Sequence, residues 1–345
     1  MSTATSPSPV TAAVLGSGAW GTTFAAVLAD AGCEVRLWGR NADVAADINA
    51  TRHNSAYLPG IELPAGLTAT TDAAAALAGA QLVVVAIPSQ SARATLAPLR
   101  EHLAEGAVAV SLMKGVELST DRRMSEVVAE VWGLPLDKVA VVSGPNLARE
   151  IAEHQPTATV VSATDPETAR FVAAACSSSY FRPYTNSDVV GVELCGAVKN
   201  VIALAVGIAQ GRGFGYNTTA TVITRGLVEI TRLGLALGAD AETFSGLAGM
   251  GDLVATCTSP LSRNHTLGKH IGQGMSLDEA VAATGGTAEG VKSCRSVLEL
   301  AQKVGVDMPI TAGVVAVLHE GMPVDDMARG LLARPQKSEG VTSGR

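Results

Sequence analysis

Short apolar runs alternate with longer amphipathic stretches through the first half of the chain. Residues 10–15, 82–87, 108–112 and 139–142 are built almost wholly from Ala, Val, Leu and Ile. Runs that short, apolar at nearly every position, fit strands covered on both faces. Residues 34–38 add a further expected strand, and residues 157–162 and 180–184 are extended pieces flanking a helix that starts after Pro166. Helical periodicity fills the gaps, for example over residues 19–31, 90–103 and 121–132. Strands and helices in strict alternation predict an α/β fold with a doubly wound, Rossmann-type parallel sheet.

The texture changes near residue 187. Long Ala/Val/Leu/Gly helices are expected at 189–210, 219–237, 290–304 and 309–319, and clear strands stop. The boundary therefore falls at 185–190, with a second, all-helical domain after it. The expected layout is a disordered tail at 1–9, a sheet domain at 10–187, a helical domain at 188–333 and a loose tail at 334–345. The Ser/Thr/Pro-rich start lacks the charged and apolar segments of a signal peptide. Residues 189–209 are apolar enough to resemble a membrane span. Glu193, Lys199 and Asn200 near the middle are costly in lipid, so a buried core helix is expected instead.

Composition narrows the function. Aromatic residues are only 3% of the chain against 47% hydrophobic overall, so small aliphatic side chains must fill the interior. The net charge is −7, without a basic stripe, which argues against a nucleic-acid partner. The five cysteines form no C-x-x-C pair and the six histidines no ligand spacing. Reduced cysteines in a cytoplasmic protein, and no metal site, are expected.

The strongest local signal is Gly16-Ser17-Gly18-Ala19-Trp20-Gly21, between the first strand and its helix. In G-x-G-x-x-G the first glycine permits the tight turn. The second admits a pyrophosphate to the backbone, and the third lets helix and strand pack closely. The helix N-terminus supplies amides and partial positive charge to that anion. The alternative is a purely structural glycine turn, but the β-turn-α-β context favours a dinucleotide cofactor and makes residues 10–187 a dinucleotide-binding domain. The acid that usually ends the second strand is absent; Arg40-Asn41 stands there instead. Arg40 is either a solvated loop residue or a partner for a 2′-phosphate, so NADP is expected as readily as NAD.

Other polar groups gather at predicted strand ends and on one helix. Lys114 follows the strand 108–112, and Gly144-Pro145-Asn146 follows the strand 139–142, where ligands of such sheets bind. Lys199 shares a helical stripe with Val192, Cys195, Ile202 and Val206. It either snorkels to the surface or stays buried with a lowered pKa, as a proton donor for carbonyl chemistry needs. Asp252 can hold a lysine, and Ser262-Arg263-Asn264 can clamp a phosphate, although each alone is equally a helix cap or surface charge. Together they suggest a small anionic substrate bearing hydroxyls.

In order and spacing, GSGAWGT, MKGVE, SGPNLARE, ELCGAVKNVIA, GMGDLVATCTSPLSRN and AEGVKS resemble the motifs of the bacterial NAD(P)-dependent glycerol-3-phosphate dehydrogenases, over residues 11–332. The resemblance implies reversible NAD(P)H-dependent reduction of dihydroxyacetone phosphate to sn-glycerol 3-phosphate, supplying glycerophospholipid synthesis, by a cytoplasmic homodimer. It implies Lys199 as proton donor and acceptor. It further implies substrate contacts at Lys114, Gly144, Asn146, Asn200, Asp252, Thr256, Ser262, Arg263 and Asn264. Cofactor contacts are implied at Gly16, Gly18, Ala19, Trp20, Gly21, Arg40, Asn41, Lys114, Ala148, Arg263 and Glu289. Ala19 and Asn146 depart from the family's usual serine or serine/threonine. Two rivals remain open on the residues alone. One is a 3-hydroxyacid or ketopantoate dehydrogenase of the same plan; the other is a nucleotide-sensing module without turnover.

Overall fold

A computed structural model describes residues 9–118, 120–285 and 288–336. Residues 1–8 and 337–345 lie outside the described residues, and with them most of the two expected tails. The chain divides into two compact units.

The first unit comprises residues up to 113, 125–142 and 148–187. Its elements run β1 (Thr11–Leu15), α1 (Ala19–Asp30), β2 (Glu34–Trp38), α2 (Ala42–Thr51), β3 (Leu67–Thr70), α3 (Ala73–Leu77) and β4 (Leu82–Val85). They continue through α4 (Ala92–Leu96), β5 (Val108–Ser111), α5 (Met124–Trp132), β6 (Val139–Ser143), α6 (Ala148–Ala152), β7 (Thr157–Ser162), α7 (Pro166–Cys176) and β8 (Phe181–Asn186). The eight strands form one sheet in the order β3-β2-β1-β4-β5-β6-β7-β8. β1 pairs in parallel with both β2 and β4, so the strand order reverses between β1 and β4. That reversal is where ligands of doubly wound sheets bind. The expected α/β, Rossmann-type class holds. β1, β4, β5 and β6 are almost wholly buried, which is why they read as continuous apolar runs.

β7 and β8 extend the sheet, and Pro183 is accommodated in β8 because an edge strand need not donate from every residue. β3 carries no run of its own and was not foreseen. The helix expected at 90–103 is broken. α4 covers only five residues, and 3₁₀ turns precede and follow it at Ser89–Ser91 and Ala97–His102. Pro98 removes an amide from the helical ladder at that break. α5 begins at Met124 rather than 121, because Asp121 sits at φ 55°, outside the helical region.

The second unit takes residues 114–124, 143–147 and everything from 188. It contains α8 (Val189–Gly211), α9 (Tyr216–Ala236), α10 (Ala241–Ser245), α11 (Asp252–Thr258), α12 (Arg263–Gly272), α13 (Leu277–Ala283), α14 (Glu289–Lys303), α15 (Pro309–His319) and α16 (Val324–Leu332). α8 is its axis. It is long and apolar enough to cross a membrane, and 94% of its most apolar window is buried inside the protein. α9, α11, α12, α14 and α15 surround it.

α8 and α12 cross with their backbones almost in contact. A Cβ added at Gly207 would lie 2.1 Å from the His265 carbonyl oxygen, and one at Gly268 would lie 2.3 Å from that of Leu204. Gly211 and Gly272 repeat the arrangement one turn along. Backbone cannot retreat as a side chain can, so Gly268→Ala must separate the helices. An expected loss of about 2–4 kcal/mol, at or above the usual overpacking cost, would appear as a lower urea midpoint. An unchanged midpoint would show that the crossing is slack.

Candidate active site

In the first unit the glycine turn is held by contacts far apart in sequence. The Gly16 N–H donates to the Trp38 carbonyl at 2.8 Å. Gly16 adopts φ 122°, and a Cβ there would sit 2.3 Å from the Ala86 carbonyl oxygen. A Cβ on Gly21 would fall 1.9 Å from the Gly16 carbonyl oxygen. These two glycines are therefore demanded by the turn itself. Gly18 differs: a Cβ there meets nothing within 4 Å. The open space lies over the start of α1, whose first turn carries no acid and no side-chain cap. An anion can therefore approach those amides, which is the fit a dinucleotide pyrophosphate requires.

Ala19 opens α1. Trp20 packs edge-to-face on Phe24 at 5.6 Å between ring centres, and its buried indole N–H has no hydrogen-bond partner. Asn54, fully buried, was not foreseen. Its Nδ2 donates to the Ser17 carbonyl at 3.0 Å and to the Thr22 hydroxyl at 2.8 Å, closing the turn from outside. No local sequence signal marks it, since its partners lie more than thirty residues away. Arg40 is exposed at the end of β2. Asn41 caps α2, its Oδ1 accepting from the Asp43 N–H at 2.9 Å. Ala148 starts α6, where its carbonyl accepts the Thr23 hydroxyl at 3.2 Å.

The second unit holds the polar cluster. A π-helical turn, Leu247–Gly251, runs directly into α11 and delivers Asp252 at its head, 1% exposed. Irregular turns of this kind recur at functional sites. Asp252 Oδ2 accepts from Lys114 Nζ at 2.7 Å, while Oδ1 accepts from Lys199 Nζ. Lys199 also donates to the Thr256 hydroxyl at 2.7 Å, and Lys114 reaches the Gly144 carbonyl at 3.4 Å. Gly144 adopts φ 149°, and its carbonyl also accepts the Asn146 N–H at 2.7 Å.

Lys199 is 7% exposed, so it does not snorkel. Burial disfavours its ammonium; Asp252 opposes that effect and Lys114 reinforces it. The net result lowers the Lys199 pKa from 10.5 to about 7. An amine so placed can hold or release a proton near neutrality. Glu289 opens α14 with its carboxyl pKa raised by burial, against the pull of Arg263, Lys114 and Lys199.

Asn200 and Asn264 join the cluster through a directed relay. The Gly290 N–H donates to Asn264 Oδ1 at 2.9 Å, and Asn264 Nδ2 donates to Asn200 Oδ1 at 3.0 Å. A backbone amide can only donate, so it fixes both side-chain orientations and leaves the Asn200 amide nitrogen as the donor end of the relay. Ser262 caps α12, its hydroxyl accepting the His265 N–H at 3.3 Å. The adjacent Arg263 is exposed. Cation, cap and amide therefore stand together at the start of α12.

Family models match both halves of the chain. The model for the N-terminus of NAD-dependent glycerol-3-phosphate dehydrogenase matches residues 11–169, and that for its C-terminus matches residues 188–329. The glycerol-3-phosphate dehydrogenase [NAD(P)+] of Streptomyces griseus is 62% identical over 331 residues, covering 96% of this chain and 98% of the relative. The enzyme of the same name from Corynebacterium jeikeium is 59% identical, covering 96% of this chain and all of the relative. Among solved structures, the glycerol-3-phosphate dehydrogenase of Coxiella burnetii superposes with a TM-score of 0.90 at 38% identity, over 95% of this chain and all of that one. The chain therefore belongs to the NAD-dependent glycerol-3-phosphate dehydrogenase family.

Proposed function

We propose that the chain reduces dihydroxyacetone phosphate reversibly to sn-glycerol 3-phosphate, using NADPH or NADH. The observation that carries this reading is the buried Lys199–Asp252–Lys114 cluster, with a lysine whose proton is mobile near neutral pH. The nicotinamide, when bound, supplies the hydride to the ketone carbon. Lys199 Nζ gives its proton to the ketone oxygen as negative charge develops there, and Asp252 keeps the amine in place afterwards. Lys114 adds positive charge beside that oxygen. Arg263, with Asn264 and Ser262 at the start of α12, holds the phosphate. Binding energy remote from the ketone thus orients the reacting carbon. Asn200 donates its amide N–H to a substrate oxygen.

The first unit serves as the dinucleotide-binding domain in this proposal, and the second serves as the substrate domain; residues 114–124 and 143–147, expected with the sheet domain, belong to the second unit. Gly18 and the first amides of α1 would hold the pyrophosphate, with Trp20 and Ala148 as further cofactor contacts. Arg263 and Glu289 are proposed as further cofactor-binding residues. A homodimer acting in the cytoplasm, with product entering glycerophospholipid synthesis, belongs to the same proposal and is supported by family membership.

One assay tests the reaction. NADPH and NADH oxidation are followed side by side with dihydroxyacetone phosphate, dihydroxyacetone and ketopantoate. Turnover confined to the phosphorylated ketone is expected. Turnover of ketopantoate without that of dihydroxyacetone phosphate would overturn the reading, and binding without turnover would make the chain a sensing module.

Arg40 is the cofactor-selecting residue, because its exposed guanidinium stands where NAD-selective sheets place an acid. Arg40→Asp is expected to lower the NADPH/NADH ratio of kcat/KM by about ten- to a hundredfold, the loss of one charge-assisted contact of about 1.5–3 kcal/mol. A ratio that does not move would leave Arg40 as a solvated loop residue.

A further inference from the structure

Glu193, Gly196 and Asn200 follow one another on α8 at spacings of three and four, a single helical stripe leading to the cluster. The segment that begins with Lys114 lies along this stripe. It folds back on itself: Val116 and Arg123 form an antiparallel bridge, and the Glu117 N–H donates to the Arg122 carbonyl at 2.9 Å. Arg123 therefore returns to within two residues of Lys114. Its Nη1 donates to Glu193 Oε2 at 2.8 Å, with the two side chains only 16% and 3% exposed. One turn further along, a Cβ on Gly196 would come within 3.3 Å of Lys114 Cγ. The lysine stem thus crosses α8 above Gly196 and ends on Asp252.

Two further anchors of this segment constrain that crossing less. Val116 is 1% exposed and packs in the helical core, which sets depth but not direction. Asp121, 8% exposed, pairs with Lys303, whose own side chain is 64% exposed, so the lysine end of that pair is held weakly. A buried ion pair adds little net stability over an apolar pair of the same size. What it enforces is one geometry, because any slip leaves two buried charges uncompensated.

We propose that the Arg123–Glu193 pair positions Lys114: it clamps the segment to α8 so that the Lys114 ammonium stays on Asp252, and thereby sets the charge that Lys199 meets. Neither residue is placed among the groups that touch substrate. Their effect passes through Lys114. The inference rests on the reading of Lys199 as the proton donor.

The consequence has a sign. Lys199 faces Asp252, the Thr256 hydroxyl and the Cys257 thiol from α11, Lys114 from the clamped segment, and Glu289 from the start of α14. When Lys114 drifts away, a like charge leaves and Asp252 turns wholly to Lys199. Both changes favour the ammonium, so the pH at which Lys199 loses its proton rises. A purely structural salt bridge would lower the melting temperature without moving that pH.

Three chains are compared: the unaltered one, Glu193→Gln, which keeps an acceptor and drops the charge, and Arg123→Lys, which keeps the charge and loses the planar fork. kcat and KM for dihydroxyacetone phosphate are measured across pH, with NADPH affinity by fluorescence titration. Glu193→Gln is expected to lower kcat/KM about tenfold and to move the alkaline limb of kcat upward by about half a pH unit or more. NADPH affinity should stay within about twofold. Arg123→Lys should give a smaller shift in the same direction, and it decides the matter if Glu193→Gln does not fold. A lower melting temperature with the limb and KM unmoved would overturn the proposal. Failure of the unaltered chain to reduce dihydroxyacetone phosphate would instead overturn the underlying reading.

Discussion

Lys199→Ala is expected to lower kcat for dihydroxyacetone phosphate reduction by about 10²–10⁴-fold, the range for losing a positioned proton donor. NADPH affinity should survive, since the glycine turn and Lys199 belong to different units. Pre-steady-state measurement of hydride transfer checks that the loss lies in the chemical step. A kcat within about threefold of the unaltered chain would remove Lys199 from the reaction, since positioned proton transfer is worth far more. The pH profile gives a second check. Reduction needs the ammonium, so kcat should fall as pH rises through the lowered pKa near 7, well before 10.5. Folding stability carries the opposite sign. The folded chain releases this proton more readily than the unfolded one, so the lysine penalises the fold below about 7. The penalty fades as pH climbs from there towards 10.5. Lys199→Met should remove that slope from the urea midpoint.

Asp252→Asn should injure both stability and activity. Asp252 is 1% exposed and accepts from both lysines. An amide leaves two buried ammoniums facing each other, and uncompensated buried charge costs about 3–5 kcal/mol. Lys199 can relieve part of that by giving up its proton, which depresses its pKa further. Its activity should therefore be least impaired in acid, where the ammonium is restored, and its stability most impaired there, with kcat at pH 7.5 reduced about a hundredfold or more. Thermal melting and kcat profiles at pH 5.5 and 7.5 test this together. Unchanged melting with full activity at pH 7.5 would mean that Asp252 does not hold the lysines.

These expectations rest on proximities with very unequal traces in the sequence. The turn at 16–21 is legible because its three glycines lie within six residues and a strand and a helix are recognisable on either side, although Trp38, Asn54 and Ala86, which hold it, lie far away in sequence. Arg40 is legible from the missing acid. Ser262, Arg263 and Asn264 are adjacent, and their dual character as cap and clamp could be stated in advance. The Lys199–Asp252 and Lys114–Asp252 contacts span 53 and 138 residues, and no periodicity links their members. Arg123 gave no signal, since an arginine beside a turn is ordinarily a surface residue. Glu193 was visible only as a charge in an apolar helix. Asn54 was invisible because its partners lie more than thirty residues away.

The sequence by itself determined the alternation of strands and helices, the helical second half, the glycine turn and the inventory of groups able to carry the chemistry. Each of these follows from hydrophobic period or from residues a few positions apart, which the local backbone translates directly into structure. The tertiary structure decided whether Lys199 is buried, that Asp252 joins two lysines, which way the Asn200 amide points, and where α8 and α12 can touch. The physical reason is that pKa, hydrogen-bond polarity and close backbone approach depend on distance and dielectric. Those are set by groups that meet only after the chain has folded.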